Sequence, residues 1–402
     1  MIKLVSASKL RIGMYVHDLH LNWIEHSFLR NHFLIDNEKT LQKLLAMGEC
    51  EISIDTSRGA DVEAPQPLPP KEISLKEAPP KEAPPKKAPL APLPIKLSEE
   101  RQYAKSLHAE AHRIVHNLMN DIRMGRQISV KHVEPVVDRI VDSLFRQQDA
   151  LLPLAQLKNH DDYTFQHSVS VCALMTSFAR TLELPREVIR EIAIGALLHD
   201  VGKATVPDSI LNKPGKLTDA EFEQMKTHVV QSKIILETMS GISPVALSVA
   251  AQHHERFNGS GYPNKLKGDA ISRYGQMSAI VDVYDAITSD RCYHEAIPPT
   301  EALRKILEWS EFQFNPKLVQ AFICSLGIYP TGSLVRLESG RLAIVDEQYP
   351  DKLTEPKVKV IFHTRGYYLK PELIDLRHSQ DHIVGYEDFR HWKIDPVQWT
   401  PQ

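Results

Sequence analysis

Residues 193–203 read AIGALLHDVGK, six small or apolar residues running without a break into His199 and Asp200. Such a run belongs inside a helical core. It carries an imidazole and a carboxylate into the interior, where an ionisable pair is costly unless something compensates it. The pattern recurs twice. Residues 249–263, VAAQHHERFNGSGYP, bring His253 and His254 in behind Val249, Ala250 and Ala251, and residues 279–291, AIVDVYDAITSDR, place Asp282 behind Ala279, Ile280 and Val281. Apolar spacing predicts helices over 169–182, 188–199, 219–239, 245–254 and 276–290. Gly202 follows one of them and Pro244 opens another, which suits a stop and a start.

Working outward, His167 in YTFQHSVSV and His228 in QMKTHVV stand in the same helical region. One histidine on a helix is usually a surface or satisfied core residue, so the argument rests on the ensemble. Three apolar helices that bring imidazoles and carboxylates inward call for a shared cation. Imidazole and carboxylate without thiolate suit iron or manganese best, with zinc, cobalt and nickel also compatible. Six or more candidate ligands exceed the three that one catalytic zinc takes, so two divalent ions bridged by a carboxylate are expected. A pair of ions ~3.5–4 Å apart suits in-line attack on a phosphodiester by a bridging hydroxide.

The rest of the chain frames this region. At 402 residues there is room for two or three domains, each of roughly 100–200 residues. Residues 1–59 alternate in short runs, with candidate strands at 14–17 and 51–55, a turn at Arg11-Ile12-Gly13 and a helical patch near 40–47. A small β-rich domain is expected there. Eleven of the 27 prolines fall in 60–97, among Lys, Glu and Ala, as in KEAPPKEAPPKKAPLAPLP. That composition cannot build a core; it reads as an extended spacer, with a PxxP ligand for a partner protein as the alternative. Ser98-Glu99-Glu100 is expected to cap the first helix of an all-helical domain spanning 98–330. Candidate strands at 333–337, 342–346 and 358–362 give a short β-containing extension over 331–402. The fold class is therefore mainly α.

A net charge of −3 supplies no field for DNA, RNA or anionic membrane. Cys50, Cys172, Cys292 and Cys324 form no CxxC pair, so neither a thiolate metal site nor a disulfide framework is expected. The N-terminus has no signal-peptide core, and no stretch approaches ~18 uninterrupted apolar residues. A cytoplasmic protein without a membrane span is the expectation.

HDVGK, the double histidine, GSGYP and AIVDVYDAITSDRCY, in that order, resemble the HD superfamily of metal-dependent phosphohydrolases. Within it they resemble the HD-GYP phosphodiesterases of cyclic di-GMP signalling. The likeness covers about 98–330, and RIGMYVHDL near the start looks like the small domain often fused to such modules. The resemblance implies that His167, His199, Asp200, His228, His253, His254 and Asp282 are metal ligands, with Asp200 bridging. It implies catalytic roles for Asp200 and Lys203, the latter facing the scissile phosphate or the nucleophilic water, and substrate roles for Arg291, Asp161 and His294. Gly259, Gly261, Tyr262 and Pro263 match the loop that names the family; it either positions His253 and His254 or meets substrate and signalling proteins. The implied reaction is hydrolysis of cyclic di-GMP to linear pGpG, with GMP as a further product. Alternatives are 3′,3′-cyclic GMP-AMP or another phosphate ester as substrate, or a weakly active receptor that signals through its N-terminal domain or Pro-rich linker.

The chain also departs from the family pattern. Tyr163 stands where some relatives carry Glu for a third metal, which favours two ions, since a phenol is a poor ligand at neutral pH. Asn258 replaces an Asp, and is expected to loosen the loop or remove a partner of Arg256 or Lys203. His294 replaces a Lys or Arg, which is expected to weaken phosphate binding and make it pH-sensitive. Val229 replaces a Pro without expected harm.

Overall fold

The computed structural model describes residues 2–6, 9–18, 33–36, 38–45, 51–60, 96–156, 163–290, 295–310 and 312–399. It divides into two compact units, Met1–Leu93 and Pro94–Gln402. In the first, strands β1 (Ile2–Ser6), β2 (Tyr15–Asp18), β3 (Phe33–Leu34) and β4 (Glu51–Asp55) form an antiparallel sheet in the order β1-β4-β2-β3, accompanied by helix α1 (Glu38–Leu45). Met14, Val16, Ile35, Leu44, Ile52 and Ile54 make its core. The Pro-rich stretch expected to act as a spacer lies, over 61–95, outside the described residues.

The second unit is built on helices α2 (Leu97–Arg123), α3 (Glu134–Gln156), α4 (Tyr163–Thr181), α5 (Arg186–Leu198), α6 (Asp208–Leu211), α7 (Asp219–Thr238), α8 (Pro244–Gln252), α9 (Arg273–Ile287), α10 (Pro299–Trp309) and α11 (Pro316–Leu326). Helix α4 packs on α5 and α9, and α8 packs on the same two, so the four close a ring. Its filling is what the opening run of sequence demands, since every residue from 192 to 198 is buried. A 3-10 turn, Val201–Thr205, follows α5 and lies against α7. Gly202 makes that approach possible: a Cβ there would collide with the backbone of His228 and Ser232 on α7.

Local chemistry sets the helix ends. Thr218 and Glu221 form a reciprocal capping box on α7, and Ser243 caps α8 with Pro244 at its first position. The start of α2 departs from expectation. It begins at Leu97 after Lys96, with no side-chain cap. Ser98 therefore caps nothing, because the helix starts one residue before it and Ser98 is already inside the first turn. Glu100 is buried, bound by Arg146 Nε and Nη2, each at 2.8 Å, and by the Ser143 hydroxyl at 2.7 Å.

The C-terminal region forms an antiparallel sheet of five strands, β5 (Leu334–Leu337), β6 (Arg341–Glu347), β7 (Lys357–His363), β8 (Tyr367–Asp375) and β9 (Ile383–Glu387), ordered β8-β7-β6-β5-β9. A short helix, α12 (Pro396–Trp399), follows. The sequence signalled only the three central strands. The two edges, β8 with Pro371 and mostly exposed side chains and β9 with Gly385, lack the apolar run, and an edge is where Pro is tolerated. The sheet is fastened to the helices by Arg101–Asp346 at 3.0 Å and by buried Asp149 on α3, which accepts from the Thr331 hydroxyl at 2.6 Å and the Gln348 amide at 3.0 Å.

Two outcomes are expected from this packing. Gly202→Ala should cost roughly 3 kcal/mol, because backbone rather than a yielding side chain stands in the way; an unchanged Tm would refute the steric argument. Burial pushes the Asp149 carboxyl up to about 6, with the Thr331 and Gln348 bonds only partly offsetting it. A raised folded-state value means that the unfolded chain loses its proton first, so the cost of ionising Asp149 grows from about pH 4 to about pH 6 and is constant above. Relative to wild type, Asp149→Asn should gain stability across that window, by roughly 3 kcal/mol in full. Parallel stability profiles against pH would count against it.

Candidate metal centre

Five imidazoles and two carboxylates meet where the four-helix ring opens onto the 3-10 turn. His167 comes from α4, His199 ends α5 with Asp200 next to it, His228 comes from α7, His253 ends α8 with His254 next to it, and Asp282 comes from α9. All are buried except His254, which is half-buried. Four of the seven, His199, Asp200, His253 and His254, stand just past helix ends, where side chains can turn into a common space.

The rings are held by their Nδ1 atoms. In His199, His228 and His253 the Nδ1–H donates to the carbonyl oxygen three residues earlier, Ala196, Met225 and Ala250, each at 2.7 Å. His167 Nδ1 lies 2.5 Å from the Asp285 carboxylate. A carbonyl can only accept, so these contacts assign the proton to Nδ1 and leave each Nε2 with a lone pair. Those lone pairs converge: His167 Nε2 is 3.2 Å from His199 Nε2, and His228 Nε2 is 3.4 Å from His253 Nε2. Two bare nitrogens at such distances repel unless a cation or a proton lies between them.

Asp200 sits between the two imidazole pairs. Its Oδ2 lies 3.3 Å from His199 Nε2 and 3.5 Å from His167 Nε2, while Oδ1 lies 3.3 Å from His228 Nε2 and 3.8 Å from His253 Nε2. Oδ1 is buried with no hydrogen-bond donor. Asp282 presents Oδ1 to His167 Nε2 at 3.1 Å and Oδ2 to His254 Nδ1 at 3.5 Å. Three overlapping triples can each hold an ion within a 4.8 Å span: His167, His199 and Asp282; His199, Asp200 and His253; His228, His253 and His254. This donor set, with its facing lone pairs and orphaned carboxylate oxygen, fits divalent cations.

The electrostatics agree. Burial would raise both carboxyls, but Lys203 and His199 hold Asp200 well below the usual carboxylate range, and the His167 bond with His254 does the same for Asp282. Burial, reinforced by neighbouring imidazoles, lowers His253 to about 3 and His254 well below its ordinary value. His199 moves the other way: burial lowers it, but Asp200 and Asp282 outweigh burial and raise it. Lys203 reaches back along the 3-10 turn to Asp200 Oδ2 at 2.5 Å.

The loop after α8 is tied down from within. Gly259 takes φ +84°, and a Cβ on Gly261 would strike the backbone of Glu255 and Arg256. The Tyr262 amide donates to the His254 carbonyl at 3.1 Å, its ring lies 4.7 Å from that of His254, and Pro263 follows. Asn258 does not loosen this loop. Its Oδ1 accepts from the Ser260 amide at 2.9 Å and hydroxyl at 2.7 Å, a role an amide oxygen fills as well as a carboxylate. Lys203 keeps a carboxylate partner in Asp200, whereas Arg256 donates to the neutral Glu255 carbonyl and burial pushes its guanidinium down. Val229 is buried in an unbroken α7.

Asp161, Arg291 and His294 lie outside the described residues, as does the Tyr163 side chain on which the two-ion argument partly rested. Two residues escaped the sequence reading. Asp285 holds His167; its signal was there, one turn past Asp282 in the same apolar helix. Glu255, also buried, accepts from the Asn264 and Leu266 amides at 2.8 and 2.9 Å, and nothing in HHERF marked it as inward-facing.

The sequence is similar to known families and proteins. The HD domain family matches residues 152–318, and the Domain of unknown function (DUF3391) matches residues 2–133. The chain is 42% identical over 406 residues to the Cyclic di-GMP phosphodiesterase PA4108 of Pseudomonas aeruginosa, covering all of this chain and 96% of that protein. It is 34% identical over 224 residues to a Cyclic di-GMP phosphodiesterase of Thermotoga maritima, covering 54% of this chain and 60% of the other. It is also 41% identical over 127 residues to the 3′3′-cGAMP-specific phosphodiesterase 2 of Vibrio cholerae, covering 31% of this chain and 24% of the other. With its HD domain and a full-length match of this strength, the chain belongs to the family of HD-domain cyclic di-GMP phosphodiesterases.

Proposed function

We propose that the chain hydrolyses cyclic di-GMP to linear pGpG, with GMP as a later product. His167, His199, Asp200, His228, His253, His254 and Asp282 would hold two divalent ions, iron or manganese in preference to zinc, cobalt or nickel. The observation that carries this reading is Asp200, a buried carboxylate with one oxygen directed at each of two imidazole pairs. Bound there, the ions would supply Lewis acidity toward the phosphoryl oxygens and acidify a water. The remaining work belongs to the chain. The carbonyl-locked imidazoles keep their donor atoms aimed without motion, and Asp285 does the same for His167. Lys203, largely buried beside Asp200, offsets the negative charge that builds on phosphoryl oxygens during attack. Arg291, Asp161 and His294 keep their substrate-side assignment from the family pattern. The same reading places the enzyme in the cytoplasm, in keeping with the free thiols Cys172 and Cys324. No helix among the described residues is long and apolar enough to cross a membrane. The loop at Gly259–Pro263, the N-terminal unit and the Pro-rich stretch are the surfaces offered to signalling partners.

Asp200→Ala should abolish turnover and strip bound metal together, measured by product chromatography and metal analysis of anaerobically prepared protein. Full turnover in that variant would overturn the scheme. Asp285→Asn should weaken metal affinity by roughly 10–100-fold, because the His167 ring loses its fixed tautomer; wild-type affinity would show that the ring needs no such anchor. A panel of cyclic di-GMP, 3′,3′-cyclic GMP-AMP and cyclic di-AMP should be cut in that order of kcat/KM.

A further inference from the structure

Helix α7 has a second face. His228 and Val229 are buried, but Phe222, Val230 and Ile234 are exposed, and Phe222 keeps 48% of its surface in water. Between Phe222 and Val230, one turn from each, is Lys226. Its Nζ lies 5.0 Å from the Phe222 ring centre and 5.6 Å from that of Tyr262, and it pairs with Glu223 at 2.5 Å. Tyr262 in turn lies on His254. A run of contacts therefore leads from the metal-binding cluster to the surface, from the His254 ring to that of Tyr262, across the Lys226 ammonium, to the half-exposed Phe222 ring.

We propose that Phe222 and Lys226 form a nucleobase subsite that selects guanine, a reading that rests on the phosphodiesterase activity proposed above. A cyclic dinucleotide with one phosphate at the metal-binding cluster must set its purines down outside that polar pocket. Phe222 offers a face for stacking, and every base has such a face, so it favours a purine without choosing which. Lys226 makes the choice. An ammonium only donates. The outer edge of guanine presents two acceptors, O6 and N7, whereas adenine presents N7 beside the N6 donor. The ring contacts and the Glu223 carboxylate hold the ammonium at the rim, poised to exchange Glu223 for the base edge.

The two residues have separable signatures. Cyclic di-GMP and cyclic di-AMP are the probes, with KM and kcat measured by turnover, Kd by calorimetry, and bound metal determined for every variant. Phe222→Ala should raise KM and Kd roughly tenfold for both dinucleotides. Lys226→Met should raise them roughly tenfold for cyclic di-GMP and less than about twofold for cyclic di-AMP, with kcat within about threefold. Equal losses on both dinucleotides in Lys226→Met would mean that this ammonium holds a phosphate, and the base assignment would fall. Unchanged constants, or metal lost in either variant, would also overturn the proposal, the latter because the effect would then run through His228. A wild-type protein that binds cyclic di-GMP but cuts neither dinucleotide would sink the phosphodiesterase reading, while the Kd pattern would still decide the subsite.

Discussion

A single carboxylate, Asp200, buried and facing two imidazole pairs, is what the second unit is organised to hold. Its two oxygens can be satisfied together only if α4, α5, α7 and α8 all end or pass within reach, and this fixes the helices more tightly than apolar packing alone would. Greasy surface would let α7 slide along the 3-10 turn; Gly202 and the Ser232 hydroxyl, which accepts from the Gly202 amide at 2.9 Å, set the register. The centre is thus as much a constraint on the fold as a product of it.

The imidazoles show how backbone can fix chemistry. Three of them spend one nitrogen on the carbonyl of the preceding helical turn, so ring orientation follows from helix geometry rather than from further side chains. His167 is the exception. Its Nδ1 takes a carboxylate, Asp285 from α9, instead. That difference explains why one second-layer acid serves the cluster where four would otherwise be needed.

Much of this was legible in the sequence. Five of the seven converging residues, His199, Asp200, His253, His254 and Asp282, were marked because inward-facing His and Asp after apolar runs are costly unless shared; His167 and His228 follow polar stretches, and their place beside the others came from the family pattern. What could not be read follows a common rule: its cause lay in another element. Glu100 looked like a first-turn acid but answers to Arg146 on α3. Asn258 looked like a lost charge, yet the structure uses only its oxygen. The edge strands β8 and β9 carry too little apolar pattern to declare themselves, and exist because β7 and β5 supply the hydrogen-bonding template. The DUF3391 match to residue 133 likewise runs past the compact boundary at Leu93, so α2 shares a sequence family with the first unit while packing in the second.

The fastening of the C-terminal sheet bears on how the polypeptide is made. The partners of Asp149 lie 182 and 199 residues downstream, at Thr331 and Gln348. While the chain is still emerging from a ribosome, α3 must carry a carboxyl whose acceptor oxygens have nothing to receive. The helical region can collapse around its histidines before then, but the seam along α3 closes only when the first two strands of the C-terminal sheet, β5 and β6, arrive. Synthesis order thus makes the sheet the final clasp on a body that otherwise assembles from its own middle.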